Sequence, residues 1–370
     1  MTQATLLHVF PSFAVGGQQT RFATLANRLG PKFRHRIVSL DGADQALALL
    51  DPSLDVALLP AAAGGIGGLP GIVRCLSATK TTALVTYNWG AIEWAMINRL
   101  IHRRPHLHLE DGFGPEEAER QKRRRIIARA ITLRRSQVVV PALNLATIAV
   151  NQWHLPPKHV HYIPNGIDAG RFDHPPPGSV QRFAQRPGEC VIGSFSPLRP
   201  EKNIARLLSA FARIGADLTA RLVICGDGPE RDRLTAMAAN EGIAERVVFT
   251  GHIARPEAVM GAFDLLAMTS DTEQMPYAVV EAMAARLPVV ATDVGDIALM
   301  VAPENRPFIV ARDDTDGLAA ALCRLCQEPD LRRRLGQENR RRVESEYTIE
   351  RMVDAFQRIL DAVLAPELAG

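Results

Sequence analysis

Short apolar runs recur along the chain, and between them lie stretches in which apolar residues return every three or four positions. The first kind predicts strands at Leu6–Phe10, Arg36–Ser39, Val56–Leu59, Ala83–Tyr87, His106–Leu109 and Gln137–Val140. The pattern then starts again at Val191–Ser194, Arg221–Cys225, Arg246–Phe249, Asp264–Met268 and Pro288–Ala291. The second kind predicts helices at Gln18–Leu29, Glu116–Ile131 and Thr348–Leu364. Strand–helix alternation of this kind makes parallel sheets covered on both faces by helices. Two such series imply two α/β domains, and the proline cluster Pro175-Pro176-Pro177-Gly178 marks a linker between them. Ala61–Gly71 is apolar but rich in Gly and Pro, and reads as loop.

The densest chemistry lies between Ser270 and Asp296. Glu273 falls in the loop after the strand Asp264–Met268, and Glu281 follows eight residues later. Pro276 between them suits the first position of a helix, where its missing N–H is no loss. Val289–Ala291 is the next strand and Gly295 its turn. One carboxylate in a loop, one on a helix and the free N–H groups of the helix start can hold a sugar hydroxyl, a ribose and a phosphate side by side. Arg199 and Lys202 follow another strand and precede a helix near Asn203, so two fixed cations can neutralise a diphosphate leaving group. Gly16-Gly17 opens the first helix and lets backbone approach a ligand closely. Alternation puts His106, His108 and Glu110 on one face of their strand, towards its carboxyl end, with Asp111 and Gly112 following.

Composition narrows the partners. The chain has 370 residues, 47% of them hydrophobic, enough for two cores. Its net charge of +3 is unevenly spread. Residues 1–165 hold 19 Lys and Arg against 10 Asp and Glu, while residues 166–370 hold 24 against 30. A basic first half suits an anionic partner. Aromatic residues are 5%, no nucleic-acid motif is present, and nucleic acid is not an expected partner. Five cysteines are too few and too odd for a disulfide framework and suit a reducing cytosol. Cys323 and Cys326 lie in an Ala/Leu helical pattern and read as one helix face. The first residues run straight into a strand, without the pattern of a leader, and no apolar run is long enough to span a bilayer. Lys122–Arg125, Arg129, Arg134 and Arg135 surround Ile126, Ile127, Ile131 and Leu133. Two readings stand: a solvated helix face over a buried stripe, or a contact for an anionic membrane or glycan.

Several landmarks then occur in a telling order. They are Gly16-Gly17, Ile163–Asp168, the loop Gly193–Asn203, Leu222–Pro229, Thr250-Gly251-His252, and the pair Glu273 and Glu281. In this order they resemble the retaining, nucleotide-sugar-dependent glycosyltransferases of family 4, group 1, with the GT-B fold. The resemblance implies two Rossmann-like domains facing across a cleft: residues 1–165 for the acceptor and 166–346 for the donor. Residues 347–370 form a C-terminal helix crossing back to the first domain. It implies that Gly16, Gly17, Arg199 and Lys202 hold the donor diphosphate, and that the backbone of His252 and Ile253 meets the base. Glu281 takes the ribose. Glu273, with Pro276, Tyr277 and Ala278, meets the donor sugar and phosphate. Glu273, His108, Arg199 and Lys202 are the expected catalytic set, with Glu110 or Asp111 as alternatives to His108 on the acceptor side. Gln274-Met275 stands where many members carry Gly-Phe, and Arg286 where Gly is common. Asp314-Thr-Asp316 has the spacing of a metal motif from another glycosyltransferase fold, but here it precedes a helix and reads as a cap. No metal or other cofactor is expected. The implied activity is sugar transfer to a glycan or lipid-linked acceptor, in cell-surface polysaccharide or lipopolysaccharide synthesis. It would take place in the cytoplasm or peripherally at the inner face of the membrane. A sugar-nucleotide epimerase and a non-catalytic glycan-binding subunit of the same fold remain as alternatives.

Overall fold

The computed structural model describes residues 3–61, 68–114, 117, 120–174, 186, 188–215 and 218–368. The proline cluster at 175–178 and Glu116 lie outside the described residues. The chain divides into two compact units, Met1–Gly166 with Ile349–Gly370, and Ile167–Thr348.

The first unit runs β1 (Ala4–Phe10), α1 (Gly17–Leu29), β2 (Phe33–Ser39), β3 (Val56–Leu59), α2 (Leu69–Ala78), β4 (Ala83–Tyr87) and α3 (Ile92–Ile97). It continues β5 (His106–Leu109), α4 (Arg123–Leu133), β6 (Gln137–Val140), α5 (Leu143–Asn151) and β7 (Val160–Tyr162). Its seven strands are parallel, in the order β3-β2-β1-β4-β5-β6-β7. The order reverses between β1 and β4, which opens a crevice beyond their carboxyl ends. The C-terminal helix Ile349–Leu368 belongs to this unit. Met352, Phe356, Ile359 and Leu360 are buried in one core with Leu6, Phe22, Val85 and Leu107. Each large apolar side chain so buried contributes about 1.5–3 kcal/mol.

The second unit runs β8 (Cys190–Phe195), α6 (Ile204–Ala212), β9 (Ala220–Cys225), α7 (Arg231–Asn240), β10 (Val247–Gly251), β11 (Leu265–Met268) and α8 (Tyr277–Ala284). It ends β12 (Val289–Thr292), α9 (Ile297–Met300), β13 (Ile309–Val310), α10 (Thr315–Gln327) and α11 (Pro329–Glu346), and the C-terminal helix is therefore α12. The six strands are parallel, in the order β10-β9-β8-β11-β12-β13, and reverse between β8 and β11. Separate apolar cores fill the two faces, one built on α6, α7, α10 and α11, the other on α8 and α9.

Four readings of the pattern need correction. Helix α4 starts at Arg123 rather than Glu116, because Glu117 is drawn inward by Arg125 and accepts the Lys122 N–H at 2.9 Å, holding a turn ahead of the helix. Leu69-Pro70-Gly71 opens α2 instead of ending a loop, proline being well suited to a first helical turn. Pro276 is the residue before α8, with extended backbone, so the helix begins at Tyr277. Strands β7 and β13 went unread, since three and two residues are too few to show alternation. Asp314 does cap α10, accepting the Gly317 N–H at 2.7 Å, and Cys323 and Cys326 lie on that helix.

Candidate functional site

In the second unit the charged loops meet where the strand order reverses. The loop after β8 carries Arg199 and Lys202, and the loop after β11 carries Ser270, Asp271 and Glu273. Lys202 Nζ lies 2.5 Å from Glu273 Oε1, and the Ser270 hydroxyl donates to the same oxygen at 2.7 Å. Both partners are part-buried, so the pair is held without being sealed from water. The two loops are laced together. Asn203, in left-handed conformation, caps α6 and donates to Asp271, whose own N–H donates to the Glu201 carbonyl at 2.9 Å. Arg206 reaches back to Asp271 at 2.9 Å and to the Thr269 carbonyl.

Two glycine-dependent approaches fix the loop backbones. A side chain at Gly226 would run into the Ser196 carbonyl, and that close approach seats residues 196–199 against the turn after β9. Leu198 N–H donates to the Asp227 carbonyl at 2.9 Å in the same contact. Gly295 has φ +60°, and a side chain there would collide with the Glu273 carbonyl. Arg199 is exposed and makes no ion pair among the described residues, which leaves its guanidinium available.

Helix α8 continues the site. Tyr277 and Ala278 are its first residues, at the positive end of the helix dipole. Glu281 lies one turn on, and burial pushes its carboxyl up to about 7, with Arg171 pulling down and Glu257 pushing up. Glu257 is itself buried and pairs with Arg171 at 2.6 Å and Arg255 at 3.1 Å. His252 is exposed just beyond β10, while Ile253 packs into the core under α8. Arg286, at φ +60°, ends α8 and pairs with Asp173 at 2.5 Å; its left-handed backbone is the conformation for which glycine is suited.

The first unit has its own pocket at the reversal between β1 and β4, lined by Asn88, Trp89, Asp111, Phe113, Arg125 and Arg129 among others. Gly16 and Gly17 open α1 after β1. Asp111 is fixed by buried Arg21 and by Gln18, which donates at 2.9 Å. His108 is fully buried, bonded through Nδ1 to Thr86 at 2.8 Å, with Nε2 3.6 Å from Glu110 Oε2. Of His108, Glu110 and Asp111, the one that lines the open pocket is Asp111. Behind it Arg129, fully buried, joins Glu110 at 3.1 Å and Glu117 at 3.5 Å, and stacks among Trp89, Phe113 and Trp153. Arg129 is therefore internal, and the basic cluster read on one helix divides into a buried member and exposed ones.

Sequence reasoning missed Arg171 and Glu257 beside Glu281, Arg21 behind Asp111, and the Arg129 network. Their partners are 86, 90 and 19 residues away, and no local spacing signals such contacts. The Lys202–Glu273 pair, 71 residues apart, joins two residues singled out separately.

Two parallel α/β sheets, each with polar loops beyond the reversal of strand order, define a protein with the GT-B fold. Residues 180–342 match the model described as glycosyl transferases group 1. Among solved structures it is similar to the Anabaena protein HepE in complex with UDP-glucose, with TM-score 0.82 and 20% identity over 97% of this chain and 99% of that one. It is also similar to sucrose-phosphate synthase from Thermosynechococcus elongatus, with TM-score 0.81 and 19% identity over 98% and 100%. Those identities establish likeness of fold. Among curated relatives, N-acetyl-alpha-D-glucosaminyl L-malate synthase of Bacillus anthracis is 28% identical over 49% of this chain and 48% of its own length. Lipopolysaccharide core biosynthesis glycosyltransferase LpsD of Rhizobium meliloti is 26% identical over 52% and 55%. The chain thus spans about half the length of the curated relatives it matches.

Proposed function

We propose that the protein is a retaining glycosyltransferase of family 4 that moves a sugar from a nucleotide-diphosphate sugar to a glycan or lipid-linked acceptor, in cell-surface polysaccharide or lipopolysaccharide synthesis. The observation that carries this reading is the Lys202–Glu273 contact at 2.5 Å, across two loops at the reversal point of the second sheet. A cation and a carboxylate held together there match what the reaction needs: a charge for the leaving diphosphate and a carboxylate for the positive charge developing on the sugar. Arg199, exposed and without an ion pair among the described residues, supplies the second phosphate contact. The first N–H groups of α8, from Tyr277 and Ala278, add dipolar stabilisation. Glu281 accepts the ribose hydroxyls, and the backbone at His252 and Ile253 meets the base. In the first unit the pocket bounded by Trp89, Phe113 and Asp111 receives the acceptor sugar. His108 and Glu110 are fully buried, so Asp111 takes the acceptor-side role.

The leaving phosphate takes the acceptor proton, and attack comes from the face the leaving group vacates, giving retention. The cations at Arg199 and Lys202 do the work a metal would do, and no metal is required. The transfer takes place on the cytoplasmic side, with the basic first unit resting peripherally on an anionic membrane. Among the described residues no helix is long and apolar enough to cross a membrane.

The test is turnover of nucleotide-sugars with and without lipid-linked glycan acceptors, reading nucleoside diphosphate release and the anomeric proton of the product. Acceptor-dependent release with the donor's anomeric configuration kept is the expected result. An inverted product contradicts retention, and an isomerised sugar formed without any acceptor contradicts transfer.

A further inference from the structure

At the amino end of the first unit's sheet, away from the loops described above, lies a second open pocket of about 440 Å³. It is entered beside the first residues of β5 and β6, and four arginines line it: Arg99, Arg103, Arg104 and Arg135. No Asp or Glu does. None of the four makes an ion pair among the described residues; Arg99 and Arg104 are half-buried, Arg103 and Arg135 exposed. Arg104 is aimed by two backbone carbonyls, those of Thr79 and Thr81, each at 2.8 Å. Arg99 keeps Nη1 buried with no hydrogen-bond partner. A buried guanidinium N–H without an acceptor is costly, and an oxyanion entering the pocket would satisfy it.

The pocket is also built. Asn98, buried, donates to the Arg104 carbonyl at 3.0 Å and accepts its N–H at 3.2 Å, which pins the turn that holds Arg103 at φ +54°. Around it the surface is apolar where a soluble anion site would have no need of that. Leu100 and Ile101, between Arg99 and Arg103, are 64% and 54% exposed, and Ile127 and Ile131 on the adjacent α4 are 58% and 59% exposed. On α4 the exposed positions Arg124, Ile127 and Ile131 recur at helical spacing, and exposed Arg135 follows in the turn just past the helix end. Arginines around a pocket with ample room for a phosphorylated headgroup, beside exposed aliphatic side chains, match a headgroup phosphate with acyl chains next to it.

We propose that this pocket binds the phosphate of an anionic phospholipid headgroup, seating the first unit on a membrane with Leu100, Ile101, Ile127 and Ile131 at the acyl boundary. This rests on the peripheral reading above and gives it a definite site, separate from both candidate substrate sites.

The experiment is co-sedimentation of the full chain with phosphatidylglycerol–phosphatidylcholine vesicles and with pure phosphatidylcholine vesicles. The variants are Arg99→Gln with Arg135→Gln, the same two positions changed to Lys, and Leu100→Ser with Ile101→Ser. Their thermal midpoints and nucleotide-sugar binding are read alongside. Binding to the anionic vesicles is expected to fall about tenfold or more in the Gln pair, at roughly a kilocalorie-scale contribution per arginine near a charged surface. It should fall less in the Lys pair, and should weaken in the Ser pair at every salt concentration. Nucleotide-sugar binding should not change in any of them. Equal binding by the wild type to both vesicle types, or unchanged binding by the Gln pair, would overturn the proposal. So would a thermal shift with glycerol phosphate that the Gln pair loses while no vesicle binds, since the site would then take a soluble phosphate. Vesicle binding without nucleotide-sugar binding would count against the transferase reading alone.

Discussion

Two cation–carboxylate clusters, one in each unit, use the same chemistry for opposite ends. In the first unit Arg129 is sealed with Glu110 and Glu117 under three aromatic rings. In the second, Lys202 and Glu273 meet across two loops with both side chains still part-exposed. Burial makes the first cluster scaffold and leaves the second open to a ligand. A sealed pair cannot exchange its partner for a ligand without a large desolvation cost, whereas a loop-borne lysine can trade a carboxylate for a phosphate at little cost.

The largest effect expected from breaking that contrast is at the sealed cluster. Arg129→Met leaves the buried Glu110 carboxylate without its guanidinium, while Glu117 keeps Arg125, and should lower stability by about 3–5 kcal/mol in denaturant unfolding. A loss below about 1 kcal/mol would mean that water already reaches the cluster. At the open pair the signs reverse. Lys202→Ala should change stability by less than about 1 kcal/mol, yet reduce turnover by about 100-fold or more. A stability loss as large as that of Arg129→Met would erase the distinction.

Glu281 offers a pH test of intermediate size. Its carboxyl is raised from 4.5 to about 7 by burial, so the native state holds a proton that the unfolded chain has released. The resulting stabilisation is fully present below about 4.5 and is lost as pH rises through about 7, a change on the order of 1–3 kcal/mol. Urea unfolding across that window should show the decline in the wild type and a flatter profile in Glu281→Gln. Identical profiles would contradict it. If Glu281 accepts ribose hydroxyls as a carboxylate, donor binding near pH 7 should also release protons, which calorimetry in buffers of different protonation heat would register.

The smallest effect concerns the end of α8. Arg286→Gly relieves a left-handed backbone worth about 1–2 kcal/mol while removing a half-exposed ion pair with Asp173. The net change in thermal stability should stay within about 1 kcal/mol, and a loss above 2 kcal/mol would show that the ion pair dominates.

Most strands were legible because a buried parallel strand is a continuous apolar run, and β3, β4, β5 and β6 fall where that pattern puts them. What the pattern could not carry was three-dimensional. Glu117 turns the chain ahead of α4 only because Arg125 and Arg129 are waiting for it in space. Of the site, Lys202 and Glu273 were legible by motif, each in its own loop. Arg171 and Glu257, which add opposing charges to the effect of burial on Glu281, and Arg21, which fixes Asp111, were not, because they act through contacts that no spacing encodes. His108 was read from alternation, which gives the face of a strand but not its depth, and the structure seals it completely.

The most direct measurement is a saturation-transfer NMR screen of the full chain against UDP-, GDP- and ADP-sugars, with Lys202→Ala alongside. The account predicts binding of one donor class, with transfer to ribose and sugar protons that disappears in the variant. Binding to none of the three, or equal binding by the wild type and the variant, would contradict a donor site built on Lys202 and Glu273.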